Sequence, residues 1–213
     1  LVAVILVFRA RFLAIIVSLI RFAHRRSEES DKANLRFLLL IIIATLCTGV
    51  IGAGLSLLDA ESYPKLVSVL FIITGAILIA TKFLRNNESI AELKPRHAII
   101  TGLAQGIGVL PGISRSGITI SASLMSGVSR EQAGEFSFLI AFPAIVGAAL
   151  LDIKQTGDLM NAVSSASLAV GMCAAFLSGL ICLILLIRLI RGGKLYLFSI
   201  YLIPLGIVSL VLL

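Results

Sequence analysis

The chain of 213 residues is 59% hydrophobic and 14% charged, with a mean hydropathy of +1.10. Soluble domains have about a quarter of their residues charged, so this composition excludes a soluble enzyme, a DNA-binding module and a disordered scaffold. The composition is that of an integral membrane protein, and the chain is long enough for roughly six spans of ~20 residues. Cys47, Cys173 and Cys182 lie in apolar runs without a CxxC pair or a histidine partner. We interpret them as small apolar residues, neither metal ligands nor disulfides.

The N-terminal segment is apolar from Leu1 to Phe8, where Arg9 and Arg11 interrupt it. Eight residues cannot cross a hydrocarbon layer of ~30 Å, so we interpret them as the end of a span whose front is missing. Phe12 to Arg26 is then a basic amphipathic stretch that we expect to lie in the cytoplasmic interface. The alternative is a full span from Leu1 to Ile20, which would bury two arginines at high cost.

Five further segments are long and apolar enough to span a membrane. They are Leu35–Leu58, Pro64–Leu84, Gln132–Leu151, Ala166–Ile190 and Leu195–Leu213. No low-complexity tract or Pro/Ser-rich linker divides the chain. The sequence therefore predicts an all-α, polytopic integral membrane protein with one membrane domain over residues 1–213.

Basic residues are concentrated on alternate connections between these segments. Fourteen of the 18 lysines and arginines lie in three stretches, 9–36, 82–96 and 188–194. The intervening connections carry one lysine each, Lys65 and Lys154. Because cytoplasmic loops are enriched in Lys and Arg, this asymmetry predicts that the basic connections are cytoplasmic and the C-terminus is outside. The net charge of +7 then indicates loops that lie at the membrane surface, not a protein that binds nucleic acid.

One segment does not fit this alternation of spans. Ala98–Leu110 is apolar but only 13 residues long, and Ile118–Val128 adds 11 more after the turn at 111–117. Since both flanks are basic and fit the cytoplasmic pattern, we predict a re-entrant hairpin over residues 98–128. Irregular backbone at membrane depth is tolerated only where it is buried in protein or lines a wet cavity.

The turn of this hairpin carries an ionisable residue, which at membrane depth is a functional hypothesis by default. Arg115 stands between Ser114 and Ser116, with Gly112 and Gly117 on either side. Glycine lets a ligand approach the backbone, a helix N-terminus favours an anion, and a guanidinium matches two phosphate oxygens. Together these residues predict a phosphate cradle inside the membrane.

Two more polar side chains flank the turn. We expect Ser114 or Ser116 to cap a half-helix that begins near Ile118, with Thr119 in its first turn as a further hydroxyl donor. Gln105 lies in the first half-helix and could face the cradle. A hydrogen bond between helices is an equal alternative for Gln105.

A purely structural alternative is that the turn only separates two half-helices and Arg115 pairs with Glu131 or Glu135. The two histidines, His24 and His97, are assigned to solvated cytoplasmic loops. The chain therefore offers a phosphate-binding group without a nearby histidine, a carboxylate pair or a Walker-type loop to drive catalysis.

The hairpin residues also form a long motif. Gly102-Leu-Ala-Gln105 precedes Pro111-Gly-Ile-Ser-Arg-Ser-Gly-Ile-Thr119, and Gly127-Val-Ser-Arg130 and Glu135-Phe-Ser-Phe-Leu139 follow. This motif resembles the second signature of the undecaprenyl-diphosphate phosphatase (bacitracin-resistance) family. The family's other signature, Glu-x-x-x-Glu followed by a Ser-Ser-Thr-Gly-His loop on an N-terminal re-entrant hairpin, has no match in this chain.

The resemblance implies an inverted repeat in which each copy is a hairpin plus three spans. Residues 1–97 would be the remainder of the first copy and residues 98–213 the second. The implied activity removes the terminal phosphate of undecaprenyl diphosphate in the bacterial cell (inner) membrane. That reaction recycles the cell-wall lipid carrier for peptidoglycan biosynthesis and is linked to bacitracin resistance.

Site residues follow from the same resemblance. The catalytic residues would be Arg115, Ser114 and Ser116, and the substrate phosphate would also meet Gly112, Gly117, Thr119 and Gln105. The general base, the nucleophile and the ligands of any divalent cation would come from the family's other hairpin, so none of this chain's residues is assigned as a metal ligand. We therefore expect this chain alone to be inactive.

The implied partners are a prenyl diphosphate lipid and the bilayer, with a homodimer allowed and nucleic acid excluded. Phe136, Phe138 and Phe142 would line a groove for the prenyl chain, or else pack between helices or contact lipid. The alternative function is a carrier or flippase for a phosphorylated lipid or anion that uses the same Arg115 cradle without hydrolysis. Lipid phosphatases that form a phosphohistidine fit poorly, because they need histidines near the Ser/Arg motif.

Overall fold

The computed structural model describes residues 1–26, 28–58, 60–84, 92–155 and 164–213, without the side chains of residues 61, 151–155 and 165. Over these ranges the secondary structure is helical and contains no strand. The α-helices are α1 (Val2–Val7), α2 (Arg9–Ala23), α3 (Glu29–Leu55), α4 (Pro64–Ala80), α5 (Pro95–Ile107), α6 (Arg115–Met125), α7 (Arg130–Gln155), α8 (Ser165–Arg191) and α9 (Ser199–Leu212). Parts of the basic connection 82–96 and of the connection after α7 lie outside the described residues.

Five of these helices are long and apolar enough to cross a membrane, which confirms all five predicted spans. They are α3, α4 continued through the 3-10 helix Thr81–Phe83, α7, α8, and α9 together with the 3-10 helix Leu195–Phe198 that precedes it. The largest difference in bounds is at α3, which begins at Glu29 instead of Leu35. Its extra polar turn is stabilised by Asp31, whose carboxylate accepts the Glu28 N–H at 2.8 Å. Glu28 is the N-cap and Asp31 the third residue of the helix, so this bond is half of a capping box and gives the Glu28 amide a partner.

The N-terminal apolar run ends where the arginines predict. α1 stops at Val7, Phe8 leaves the helical conformation (φ −101°, ψ 21°), and α2 begins at Arg9. α2 packs on α3, where Ser18 donates a hydrogen bond to Asp31 at 2.7 Å. At 15 residues α2 is shorter than a span. Its interfacial position in a membrane stays a prediction.

The predicted hairpin is present as two half-length helices, α5 with 13 residues and α6 with 11. α5 lies directly against α3. A Cβ added at Gly102 would lie 2.5 Å from the Ala44 carbonyl oxygen, and one at Gly106 would lie 2.6 Å from Ile51 Cβ. These two glycines therefore allow the close approach of the helices, as small residues do in membrane proteins. Entry of the hairpin from the cytoplasmic face stays a prediction.

α4 presents two faces to different neighbours. One face meets α9, where a Cβ at Gly75 would lie 2.5 Å from Ile203 Cγ1 and Ser68 Oγ is 2.8 Å from Ser209 Oγ. The other face meets the residues between α5 and α6, which we call the turn (residues 108–114). α4 and α9 are the last spans of the two predicted repeat copies, and the division into repeats stays a prediction.

Candidate active site

The turn lies flat on α4 because one of its residues is a glycine in the left-handed region. Gly112 has a φ of +91°, and a Cβ there would be 2.5 Å from the Val67 carbonyl oxygen and 3.0 Å from Leu70 Cβ. A side chain would be strained by the backbone conformation and would also collide with α4. Gly112 therefore sets how closely the turn approaches the neighbouring helix.

α6 begins at Arg115, three residues before the predicted start near Ile118. Ser114 is the N-cap, since its backbone is extended and its Oγ accepts the Gly117 N–H at 3.2 Å. The Ser114 carbonyl accepts the Ile118 N–H at 2.8 Å. The prediction that Ser114 caps the helix is confirmed, while the start near Ile118 is wrong because the first helical residue directly follows its cap.

Arg115 is an exposed side chain at this helix start and has no carboxylate partner among the described residues. Glu131 pairs with Arg191 at 2.6 Å, and Glu135 pairs with Arg11 at 2.7 Å. The alternative in which Arg115 pairs with either glutamate is therefore wrong. An arginine without a counter-ion is available to bind an anion.

Four more donors lie with Arg115 at the N-terminus of α6. In the described part of the chain, the N–H groups of Arg115 and Ser116 donate to no partner, whereas those of Gly117 and Ile118 donate to Ser114. The hydroxyls of Ser114 and Ser116, both half-buried, donate to no described residue. A cation, two free amides and two hydroxyl donors form a set that suits a phosphate.

Thr119 is not part of this donor set. It is only 1% exposed, and its hydroxyl donates to the carbonyls of Arg115 at 3.0 Å and Ser116 at 3.2 Å. Its proton is therefore already used within α6. The predicted contact between Thr119 and a phosphate would require this hydroxyl to reorient.

Gln105 faces a helix interface and not the turn. Its Nε2 donates to Thr48 Oγ1 at 3.1 Å and to the Ile140 carbonyl at 3.2 Å, which joins α5 to α3 and α7. Its Oε1 is buried without a partner among the described residues. The structure therefore supports the hydrogen bond between helices, which was the alternative to a place in the cradle.

Thr74 is a contact of the turn that sequence reasoning missed. Its Oγ1 lies 3.2 Å from the Gly112 carbonyl oxygen and 3.4 Å from the Ser114 amide nitrogen. The available signal was a lone hydroxyl within the apolar run Phe71-Ile-Ile-Thr-Gly75. A buried hydroxyl in a membrane helix commonly bonds to a neighbouring element.

The other end of the hairpin, which we call the base (residues 94–97 and 130–135), consists of bonded polar groups. His97, expected in a solvated loop, is fully buried in the first turn of α5, and its Nδ1 accepts the Lys94 N–H at 3.1 Å. Burial, together with the charges of Arg96 and Lys94, lowers the pKa of His97. His97 lies roughly 16 Å along α5 from the turn. His24 is exposed at the end of α2, as predicted.

Two cavities lie near the base, and α7 carries the phenylalanines of the predicted groove. Cavities of about 380 and 360 Å³, both lined by Arg11, open near the base. Each phenylalanine of the predicted prenyl groove stacks on another ring: Phe136 on Phe37, Phe138 on Phe8 and Phe142 on Phe12, at 5.8, 5.9 and 5.1 Å between centroids. Phe136 is fully buried. The packing alternative therefore describes Phe136, while a groove along Phe138 and Phe142 stays a prediction.

The donor set of the turn does not fit the divalent cation that the resemblance allows. Such ions prefer carboxylate and carbonyl oxygens, whereas the turn presents a cation, amides and hydroxyls. Across the described ranges, no three His, Cys, Asp or Glu side chains come together as a metal site requires. These residues are therefore arranged for an anion.

Comparison with known proteins gives a family and several relatives. Residues 1–208 match the family of the bacitracin resistance protein BacA. The undecaprenyl-diphosphatase of Treponema denticola is 48% identical and is aligned over 97% of this chain and 77% of its own length. Those of Borrelia hermsii and Korarchaeum cryptofilum are 38% and 36% identical, over 94% and 100% of this chain and 75% and 81% of their own lengths. The chain therefore spans three quarters to four fifths of these relatives.

Proposed function

Because the chain belongs to the family of the bacitracin resistance protein BacA, we propose that it is a multi-pass membrane phosphatase acting on undecaprenyl diphosphate. It hydrolyses the lipid to undecaprenyl phosphate and inorganic phosphate, and so recycles the cell-wall lipid carrier. The observation that carries this proposal is Arg115, which stands at the start of α6 without a carboxylate partner among the described residues. The relatives named above have this activity in their names.

The turn and the start of α6 bind the diphosphate group. The planar guanidinium of Arg115 donates two parallel hydrogen bonds to oxygens of the terminal phosphate. The amides of Arg115 and Ser116 and the hydroxyls of Ser114 and Ser116 donate to the remaining oxygens. Gly112 keeps the turn against α4, so these donors are held in place before substrate arrives.

These donors also favour the reaction itself. In the overall reaction, the bond from the terminal phosphorus to the bridging oxygen breaks and undecaprenyl phosphate leaves with the bridging oxygen. The oxygen of one water ends on the released phosphate, either directly or through the nucleophile that the resemblance assigns to the other hairpin. Negative charge on the transferring group is spread over its outer oxygens, so fixed cationic and amide donors stabilise the transition state. None of the described groups bonded to the turn is a base that could accept the proton of water. A base from the family's other hairpin, as the resemblance implies, stays a prediction.

The position of the turn suits a substrate presented on the outer side. Gly112 contacts Val67, about 5 Å along the helix from the start of α4, and Ser114 lies beside Thr74 near the middle of that helix. If the basic connections are cytoplasmic, α4 begins at the outer face. A hairpin that enters from the cytoplasm then carries its phosphate-binding turn into the outer half of the membrane. This orientation is part of the proposal.

The test is phosphate release from undecaprenyl diphosphate in detergent by the intact gene product that contains this chain. We expect release of one phosphate per lipid monophosphate formed, and a kcat/KM lowered about 10²–10³-fold by Arg115→Lys, which keeps the charge but loses the fork. Arg191→Lys is the matched control, because Arg191 is an exposed partner of Glu131, and it should keep the unmutated rate. Lipid binding without phosphate release would refute the phosphatase proposal and favour a carrier.

A further inference from the structure

The face of α4 that meets the hairpin is apolar except at one residue. Val67, Leu70, Thr74 and Leu78 recur at helical spacing along it. The first two contact Gly112, and Leu78 Cδ2 would lie 3.3 Å from a Cβ at Gly117. Thr74 stands between them and is only 1% exposed. A buried hydroxyl in an apolar face is unfavourable unless both its proton and its oxygen are used.

Both are used, and both reach the turn. The Thr74 hydroxyl donates to the Gly112 carbonyl at 3.2 Å and accepts the Ser114 N–H at 3.4 Å. The amide of an N-cap residue is not needed by the helix that it caps. Thr74 therefore bonds to the turn on both sides of Ile113 and fixes the residue that precedes Arg115.

We infer that Thr74 is a positioning residue for the phosphate site: its hydroxyl holds the Gly112–Ser114 backbone and thereby the Ser114 cap and Arg115. This inference rests on the proposed function. Thr74 does not touch the substrate and acts through these residues. A displacement of the reacting geometry by about 1 Å can lower a rate by as much as 10²-fold. Losing the two bonds should therefore affect turnover more than substrate binding, to which the prenyl chain also contributes.

The experiment compares Thr74→Val with Thr74→Ser in the intact protein. Valine has nearly the same shape but can neither donate nor accept, whereas serine keeps the hydroxyl. We expect Thr74→Val to lower kcat about tenfold with KM within about twofold, and Thr74→Ser to retain kcat within about threefold. Ser68→Ala is the matched control. Ser68 is a buried hydroxyl on the other face of the same helix, bonded to Ser209.

Thermal unfolding of the variants in detergent distinguishes a loss of helix packing, which lowers the Tm, from a loss of positioning, which lowers kcat alone. A kcat loss in Thr74→Val that Thr74→Ser reverses, with a Tm change no larger than that of Ser68→Ala, supports the inference. Unmutated kcat in Thr74→Val overturns it, as does an equal kcat loss in Ser68→Ala or in Thr74→Ser. If the unmutated protein releases no phosphate, the proposed function itself fails. That result differs from an active enzyme whose kcat does not change in Thr74→Val, which overturns only the role of Thr74.

Discussion

The base and the turn of the α5–α6 hairpin place arginines in opposite electrostatic settings. Near the base, Arg11 pairs with Glu135, Arg191 pairs with Glu131, and Arg130 donates to the Leu84 carbonyl at 3.1 Å. At the turn, Arg115 has neither a carboxylate nor a carbonyl partner among the described residues. The two ends belong to the same short hairpin, so the contrast does not come from a difference in composition between domains.

The contrast separates two uses of a charge in a membrane protein. A paired arginine has its charge already compensated, so it links helices and contributes to folding. An unpaired arginine beside free amides keeps its capacity to bind an anion. Without the anion, its uncompensated charge lowers the stability of the folded protein. Changes at the turn should therefore affect catalysis first, and changes at the base should affect stability first.

The largest combined effect on stability and on activity is expected from Gly112→Ala. The added Cβ would lie 2.5 Å from the Val67 carbonyl oxygen in a backbone with φ of +91°. We expect the free energy of unfolding to fall by about 2 kcal/mol and kcat/KM to fall about 10²-fold, because the turn must move off α4. Phosphate release and thermal unfolding in detergent measure the two effects.

Gly49→Ala is the control for that substitution. Gly49 is on α3, and nothing lies within 4 Å of the position that its Cβ would take. It should leave the rate unchanged and leave stability unchanged or slightly raised, since alanine favours helix. A Gly112→Ala protein with unmutated rate would show that the close approach of the turn to α4 is unimportant.

An intermediate effect is expected at the base from Glu135→Gln. The change removes the partner of Arg11, whose side chain is about a third exposed and whose guanidinium carbon also lies 4.4 Å from the centre of the Phe37 ring. We expect a loss of about 1–2 kcal/mol in the free energy of unfolding, between the values for exposed and buried pairs. The kcat per folded molecule should stay near that of the unmutated protein.

Glu131→Gln calibrates this prediction, because its pair with Arg191 is mostly exposed, at 68% and 62% of the side chains. It should change the free energy of unfolding by less than about 1 kcal/mol. If Glu135→Gln abolished turnover without lowering the Tm, the base would belong to the catalytic machinery and the comparison would fail.

The smallest effect is expected from the protonation of His97. Its pKa is lowered because burial disfavours the charged ring, so the unfolded chain binds the proton more tightly than the folded one. The contribution of neutral His97 to stability is therefore present above about pH 6.5 and lost as the pH falls through its lower folded pKa. We expect the Tm to fall on acidification and His97→Gln to weaken that dependence. An identical pH profile in both proteins would show that His97 does not contribute.

The spans and the hairpin could be predicted because they depend on local properties. A run of ~20 apolar residues must cross the bilayer, and a run of 13 followed by Pro-Gly cannot. The start of α6 was missed by three residues because either Ser114 or Ser116 could serve as the cap. Only the folded backbone shows which of the two side chains reaches an amide.

The remaining site details depend on tertiary contacts that the sequence does not display. Glu135 and Arg11 are 124 residues apart, and Gln105 faces Thr48 and Ile140 because of how α5 is rotated against α3 and α7. His97 looked solvated because a basic loop precedes it, yet its ring serves as a helix cap. In each case the residue type was visible in the sequence and its partner was not.

The central claim, that the guanidinium of Arg115 binds the diphosphate, is tested most directly by chemical rescue. Phosphate release from undecaprenyl diphosphate would be measured for Arg115→Ala and Arg11→Ala of the intact protein, with and without free guanidinium at a non-denaturing concentration. Because the Arg115 side chain is exposed, the space that it vacates is open to the free ion. We predict that Arg115→Ala is nearly inactive and regains activity with guanidinium, while Arg11→Ala, compared per folded molecule, is active and does not respond. An Arg115→Ala protein that releases phosphate at the unmutated rate would contradict the account.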